Sequence, residues 1–146
     1  MFAGPLKSML RAGFGIDFDQ KYWQDNKEAT IPVLGKSPRQ LMQTLGTEWG
    51  RDLVNPNVWV ILAHDQLNMR GAGMVITDMR FDNEAKWVRS VGGQVIHISR
   101  KDAPSVNAHS SESGVQRAPE DLEVANDGSI ADLQAYVEER FGVVQA

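Results

Sequence analysis

The chain has 146 residues, 42% of them hydrophobic and 23% charged, a balance that suits one globular domain over residues 1–146 and argues against a disordered ground state. Fifteen Lys and Arg against nineteen Asp and Glu leave a formal charge of −4, which argues against a broad surface for long nucleic acid but permits a local pocket for a small anion. The absence of cysteine and the three scattered histidines His64, His97 and His109 argue against disulfides and a zinc site; the lack of a run near the roughly 18 apolar residues of a membrane span, or of a secretory signal, leads to the expectation of a cytoplasmic protein with no membrane partner.

Pro5 opens a short helix, PLKSMLRAGF, with Leu6, Met9, Leu10 and Phe14 as its apolar stripe and glycines at its end. Residues 16–36 read as an irregular connection, long enough to be a functional cover. Ser37 to Arg51 then reads as one helix. Ser37, Pro38 and Gln40 give it a capping-box start. At about 100° per residue, Leu41, Met42, Leu45, Trp49 and Leu53 form a core-facing arc. Arg39, Gln43, Gly46, Thr47 and Gly50 form another, with Arg51 at its edge. Each glycine costs roughly 1 kcal/mol relative to alanine inside a helix, so a bare backbone there lets something approach closely. Spacing leaves two readings open. Another element packs on the glycines, or they floor an anionic-ligand site in which Arg39 and Arg51 meet the anion and Gln43 pairs with a base or sugar.

Asn55 and Pro56 end that helix and start a second, which runs to Gly71 with Val58, Ile61, Leu62 and Asp65 on one face. GMVIT (73–77) reads as a strand buried on both faces, FDNEAKWVRSVGG as a helix capped by Asp82, QVIHIS as a second buried strand and LEVAN as a third. SIADLQAYVEERF closes the pattern as a helix capped by Ser129 and Asp132, with Ile130, Leu133, Val137 and Phe141 inward. Strands alternating with helices predict an α/β fold with a parallel sheet. Ligands in such sheets gather at the carboxyl ends of the strands, which would align Asp78 and Arg80, Arg100 and Lys101, and Asn126 and Asp127 along one edge.

Asp78, directly after an apolar run, stands where nucleotide-binding α/β proteins hold magnesium, although an aspartate there also serves as a cap. Arg80 would be pointed at the same edge, or paired with Asp78 or Glu84. The polar insertion at 99–120 reads as a lid in which Arg100, Lys101 and Arg117 close over phosphates, or as a solvated loop. His97 reads as structural and His64 as a helix-surface residue.

Together FAGPLK, SPRQLMQTLGTEWGRD, ITDMRFDNEA, HSSES and VANDGSIADL closely resemble the bacteriophage-type deoxynucleoside monophosphate kinases of the P-loop kinase superfamily. The resemblance implies ATP-dependent phosphoryl transfer to a deoxynucleoside monophosphate with magnesium, on a parallel sheet flanked by helices. It assigns Arg39, Gln43 and Arg51 to the monophosphate-binding helix, and Asp78, Arg80 and Glu84 to a strand-end motif near phosphate and base, with Asp78 and Arg80 as catalytic candidates. His109 and Glu112 fall in the lid region.

One departure stands out. The family's strand and glycine-rich phosphate loop precede the FAGPLK-like segment, whereas Met1 stands at that segment here and no G-x-x-x-x-G-K-[ST] occurs in the 146 residues. The expectation is an incomplete P-loop-kinase-like sheet without its first strand, a retained monophosphate site and little or no kinase activity. The gap would be closed by direct strand pairing, a rearranged segment, a partner or a homodimer. The competing expectation is a non-catalytic phage-type module that binds a host protein.

Overall fold

A computed structural model of the chain describes residues 2–71, 73–102 and 114–142. Helix α1 (Gly4–Phe14) starts on Pro5 and ends where Gly15 turns left-handed at φ 68°, burying Leu6 and Leu10. The connection that follows contains a short helix, α2 (Lys21–Asp25), and an isolated bridge between Ile31 and Lys36. Helix α3 (Pro38–Thr44) begins on the expected capping box: the Gln40 N–H donates to Ser37 Oγ, and the Ser37 N–H donates to Gln40 Oε1.

The single helix expected through Arg51 changes its winding. From Leu45 to Val54 the chain is π-helical, closed by bonds such as that from the Asn55 N–H to the Gly50 carbonyl at 2.9 Å. The wider turn advances each residue through a smaller angle, so a face extrapolated at the α-helical pitch drifts off target. Gly46, Gly50 and Arg51 are buried, whereas Trp49 is 40% and Leu53 79% exposed, which overturns the expected inward arc at those two positions, while Leu45 still packs against the core. Helix α4 (Val58–Arg70) supplies the reason. Its Trp59 ring lies against Gly50, where a Cβ would stand 2.4 Å from Cζ2, and its Nε1 donates to the Gly46 carbonyl at 2.8 Å. The bare backbone therefore admits the protein's own indole. On α4, Trp59 and Ala63 are buried and Val58 packs against the core, while Ile61 and Leu62 are exposed.

Phe2, Leu6, Trp59 and Ala63 make the core, with Met74, Ile76, Met79 and Trp87 packed against it. Residues 73–77 are not a strand. Met74 and Ile76 pack inward while Val75 is 83% exposed, the alternation of a segment covered on one side, and no ladder forms along it. Among the described residues the sheet has two strands, β1 (Ile96–Ser99) and β2 (Leu122–Ala125), parallel as expected and in register from Ile96 opposite Leu122 to Ser99 opposite Ala125. Burial on both faces does not hold for β1, because Ile98 is 62% exposed. Helix α5 (Asp82–Ser90) uses Phe81, not Asp82, as its N-cap residue, and Asp82 instead accepts the Gln116 N–H. Helix α6 (Ile130–Phe141) carries the expected Ser129/Asp132 capping box but leaves Ile130 and Phe141 exposed, with Leu133 and Val137 half-buried.

Buried Asp121 ties α5 to the sheet. Its carboxylate accepts from Arg89 Nε at 2.8 Å and Nη2 at 2.5 Å, from the Ala118 N–H, and contacts His97 Nε2 at 2.9 Å. The hydrogen bond from Arg89, followed by those from Ala118 and His97, outweighs the effect of burial and holds this carboxyl well below the usual carboxylate range. His97 is thus a structural partner. His64 lies on exposed α4 surface and accepts from Trp87 Nε1 at 3.4 Å.

Two outcomes follow from this packing. Gly50→Ala should lower stability by about 1–3 kcal/mol through overpacking against Trp59. Gly13→Ala, where a Cβ meets nothing within 4 Å, should leave it unchanged or raise it by about 0.5–1 kcal/mol; urea midpoints check both. Because the folded Asp121 carboxyl is more acidic than the unfolded one, its contribution is complete above the unfolded value of about 3.9 and is lost as pH falls toward the folded value. The stability gap between wild type and Asp121→Asn should therefore hold at pH 6 and shrink below about pH 4; a gap independent of pH down to 3 would contradict this.

Candidate functional site

A cavity of about 400 Å³ opens between α1, the α3 and π-helical stretch, and the 77–84 segment, a size typical of small-molecule sites. Phe2, Leu6, Met42, Trp59 and Phe81 line its apolar part, and Gln43, Thr47 and Thr77 add neutral polar groups. Five cationic side chains, Lys7, Lys27, Arg39, Arg51 and Arg80, face two carboxylates, Asp78 and Glu84. A net positive lining on an acidic chain is the local arrangement a small anion requires.

All six residues expected around the monophosphate, Arg39, Gln43, Arg51, Asp78, Arg80 and Glu84, meet at this cavity. Their roles divide. Arg51 is buried and ion-paired with Glu84, donates to the Pro56 carbonyl at 3.0 Å and to Asn83 Oδ1 at 3.3 Å, and stacks 3.8 Å from the Phe81 ring centroid. Glu84 also accepts the N–H groups of Arg80 at 2.8 Å and Phe81 at 3.1 Å. Burial raises the Glu84 carboxyl, opposed first by the Arg80 N–H and then by the charge of Arg51; burial lowers the Arg51 guanidinium, opposed by Glu84. A guanidinium stays charged despite such a shift. Arg51 therefore builds the wall, with its charge answered inside the protein.

Asp78 is likewise committed. Its two oxygens accept the N–H groups of Phe2 at 3.0 Å and Ala3 at 2.8 Å, which pins the entry to α1 beside the cavity. This carboxylate serves as a backbone anchor. Among the described residues no three His, Asp or Glu side chains converge as a metal site. Arg39 is held by Glu28 at 2.5 Å, and its N–H donates to the Lys27 carbonyl at 2.9 Å.

The carboxyl ends of the strands do not line this cavity. Lys101 and Asp127 do meet there, with Lys101 Nζ 3.2 Å from the Asp127 carboxylate, Arg100 is exposed, and Arg117 pairs with Glu123 on β2. His109 and Glu112 lie outside the described residues. Lys7 and Lys27 were not anticipated. Lys7 stands one helical turn beyond Ala3, a signal present in the sequence; Lys27 sits in irregular chain with no periodicity to announce it.

The family model for deoxynucleotide monophosphate kinases matches residues 23–137. The chain belongs to the deoxynucleotide monophosphate kinase family. It is 34% identical over 138 residues to the deoxynucleotide monophosphate kinase of Escherichia phage RB69, covering 91% of this chain and 56% of that protein. Against the enzyme of the same name from Enterobacteria phage T4 it is 32% identical over 112 residues, 74% of this chain and 46% of that one. The deoxynucleoside-5′-monophosphate kinase of Escherichia phage T5 is 37% identical over 79 residues, 49% of this chain and 32% of that one. The chain spans about half the length of its RB69 and T4 relatives. The family match includes α3, the π-helical stretch and the 77–84 segment, hence most of the cavity wall of this deoxynucleotide kinase homologue.

Removing one partner of a buried ion pair leaves the other charge uncompensated. Glu84→Ala should therefore cost about 3–5 kcal/mol of stability, measured by urea unfolding at pH 7. A loss below about 1 kcal/mol, the range of a surface pair, would contradict the structural role given to Arg51.

Proposed function

We propose that the cavity binds a deoxynucleoside 5′-monophosphate, as the acceptor half of a nucleotide kinase. One observation carries this reading: Arg39 and Gln43 from α3, and Arg80 from a segment far along the chain, line one cationic cavity in a member of the deoxynucleotide kinase family. Arg39 and Arg80 are the phosphate partners, because guanidinium groups match phosphate oxygens in planar, charge-assisted pairs. The base lies against the apolar wall. Gln43, whose amide has both donors and an acceptor, addresses its polar edge.

Phosphoryl transfer depends almost wholly on positioning and charge neutralisation. No G-x-x-x-x-G-K-[ST] occurs in these 146 residues to cradle a donor's β- and γ-phosphates. The polypeptide of these residues accordingly binds the acceptor but transfers little or no phosphoryl. Magnesium enters this reading with the ATP donor, as its phosphate-bound counter-ion.

Calorimetry with the four deoxynucleoside monophosphates tests the binding. The expected result is a micromolar dissociation constant for at least one of them, weakened about tenfold or more, about 1.4 kcal/mol, by Arg39→Ala and by Arg80→Ala. Folded protein that binds none of the four would contradict it. In a coupled assay with MgATP the same polypeptide should show no turnover above background, and turnover at the 1–100 s⁻¹ usual for kinases would contradict the inactive half of the reading.

A further inference from the structure

We propose that Lys27 is a phosphate-binding residue of the monophosphate site, carried to the cavity by the irregular segment after α2; this rests on the reading of the cavity given above. The segment is fastened to the start of α3 at two points. The Lys27 carbonyl accepts the Arg39 N–H at 2.9 Å, and the adjacent Glu28 carboxylate holds Arg39 Nε at 2.5 Å. The backbone of Lys27 is therefore fixed beside the arginine, and Lys27 is one of the residues lining the cavity.

Local charge distinguishes Lys27 from an ordinary solvated lysine. The acidic residues nearest to it in sequence are already engaged, Asp25 with Lys21 at 2.7 Å and Glu28 with Arg39. The cavity's own carboxylates are engaged too, Asp78 with two backbone N–H groups and Glu84 with Arg51 and the N–H groups of Arg80 and Phe81. Lys27 forms no ion pair among the described residues and faces a cavity whose negative groups have other partners. A phosphate dianion entering beside Arg39 supplies the missing charge. The lysine ammonium, a compact point charge on a flexible stem, can follow the phosphate without the planar match an arginine needs.

The test compares a monophosphate with its phosphate-free nucleoside on the same chain. Calorimetry is run with thymidine 5′-monophosphate, or whichever of the four monophosphates binds tightest, and with the matching deoxynucleoside, on wild type, Lys27→Ala, Lys27→Arg and Arg39→Ala, each checked for folding by circular dichroism. Lys27→Ala should weaken the monophosphate about tenfold and leave the nucleoside unchanged, and Lys27→Arg should restore most of the loss. If Arg39→Ala weakens the monophosphate while Lys27→Ala binds it like wild type, or if Lys27→Ala weakens monophosphate and nucleoside equally, the role of Lys27 is overturned and the monophosphate site stands. If wild type binds no monophosphate, both fall together.

Discussion

A buried ion pair between Arg51 and Glu84 holds the two halves of the cavity together. Arg51 projects from the π-helical continuation of α3, and Glu84 sits in the first turn of α5 just after the 77–80 stretch. Desolvating both charges is expensive. The contact persists because Glu84 also accepts two backbone N–H groups and Arg51 also bonds the Pro56 carbonyl and stacks on Phe81. Through this junction the helix bearing Arg39 and Gln43 is set against the segment bearing Arg80. A separate anchor, Asp78 on the N–H groups of Phe2 and Ala3, brings α1 to the same place.

The second constraint is the meeting of Trp59 with the glycine pair. The indole fills space that a Cβ at Gly50 would occupy and bonds the Gly46 carbonyl, so α4 lies close against the π-helical stretch. Gly46 and Trp59 both remain on the cavity wall. The close approach that the two glycines permit thus serves packing directly and the site indirectly. Of the two readings of the bare helix face, the packing of another element on the glycines is the one present in the structure.

Local signals carried much of this into the sequence. The Ser37/Gln40 and Ser129/Asp132 capping boxes and the left-handed Gly15 and Gly71 follow from short-range chemistry, the parallel order of β1 and β2 from the alternation of strands with helices, and all are present in the structure. The residues gathered at the cavity were legible through family motifs, although the commitments of Arg51 and Asp78 were not, since a partner distant in sequence decides whether a charge is available. The face computed at the α-helical period fails at Trp49 and Leu53, within the stretch where the winding changes, while Leu45 still packs against the core. The apolar run at 73–77 lacks a ladder because a strand needs a neighbour, which no local pattern can supply. Lys27 gives no such signal, because irregular chain has no period to read.

Membership in the deoxynucleotide monophosphate kinase family and a cationic cavity on an acidic chain both support the proposal of a phosphate-bearing nucleotide beside α3. The apolar wall and the Gln43 amide suit a base, and the cationic rim suits its phosphate. The most direct test is a crystal structure of the chain soaked with a deoxynucleoside 5′-monophosphate. The phosphate should lie within hydrogen-bond reach of both Arg39 and Arg80, with the base against the Phe2, Trp59 and Phe81 side of the cavity. Density for the nucleotide elsewhere on the molecule, with this cavity holding only solvent, would contradict it.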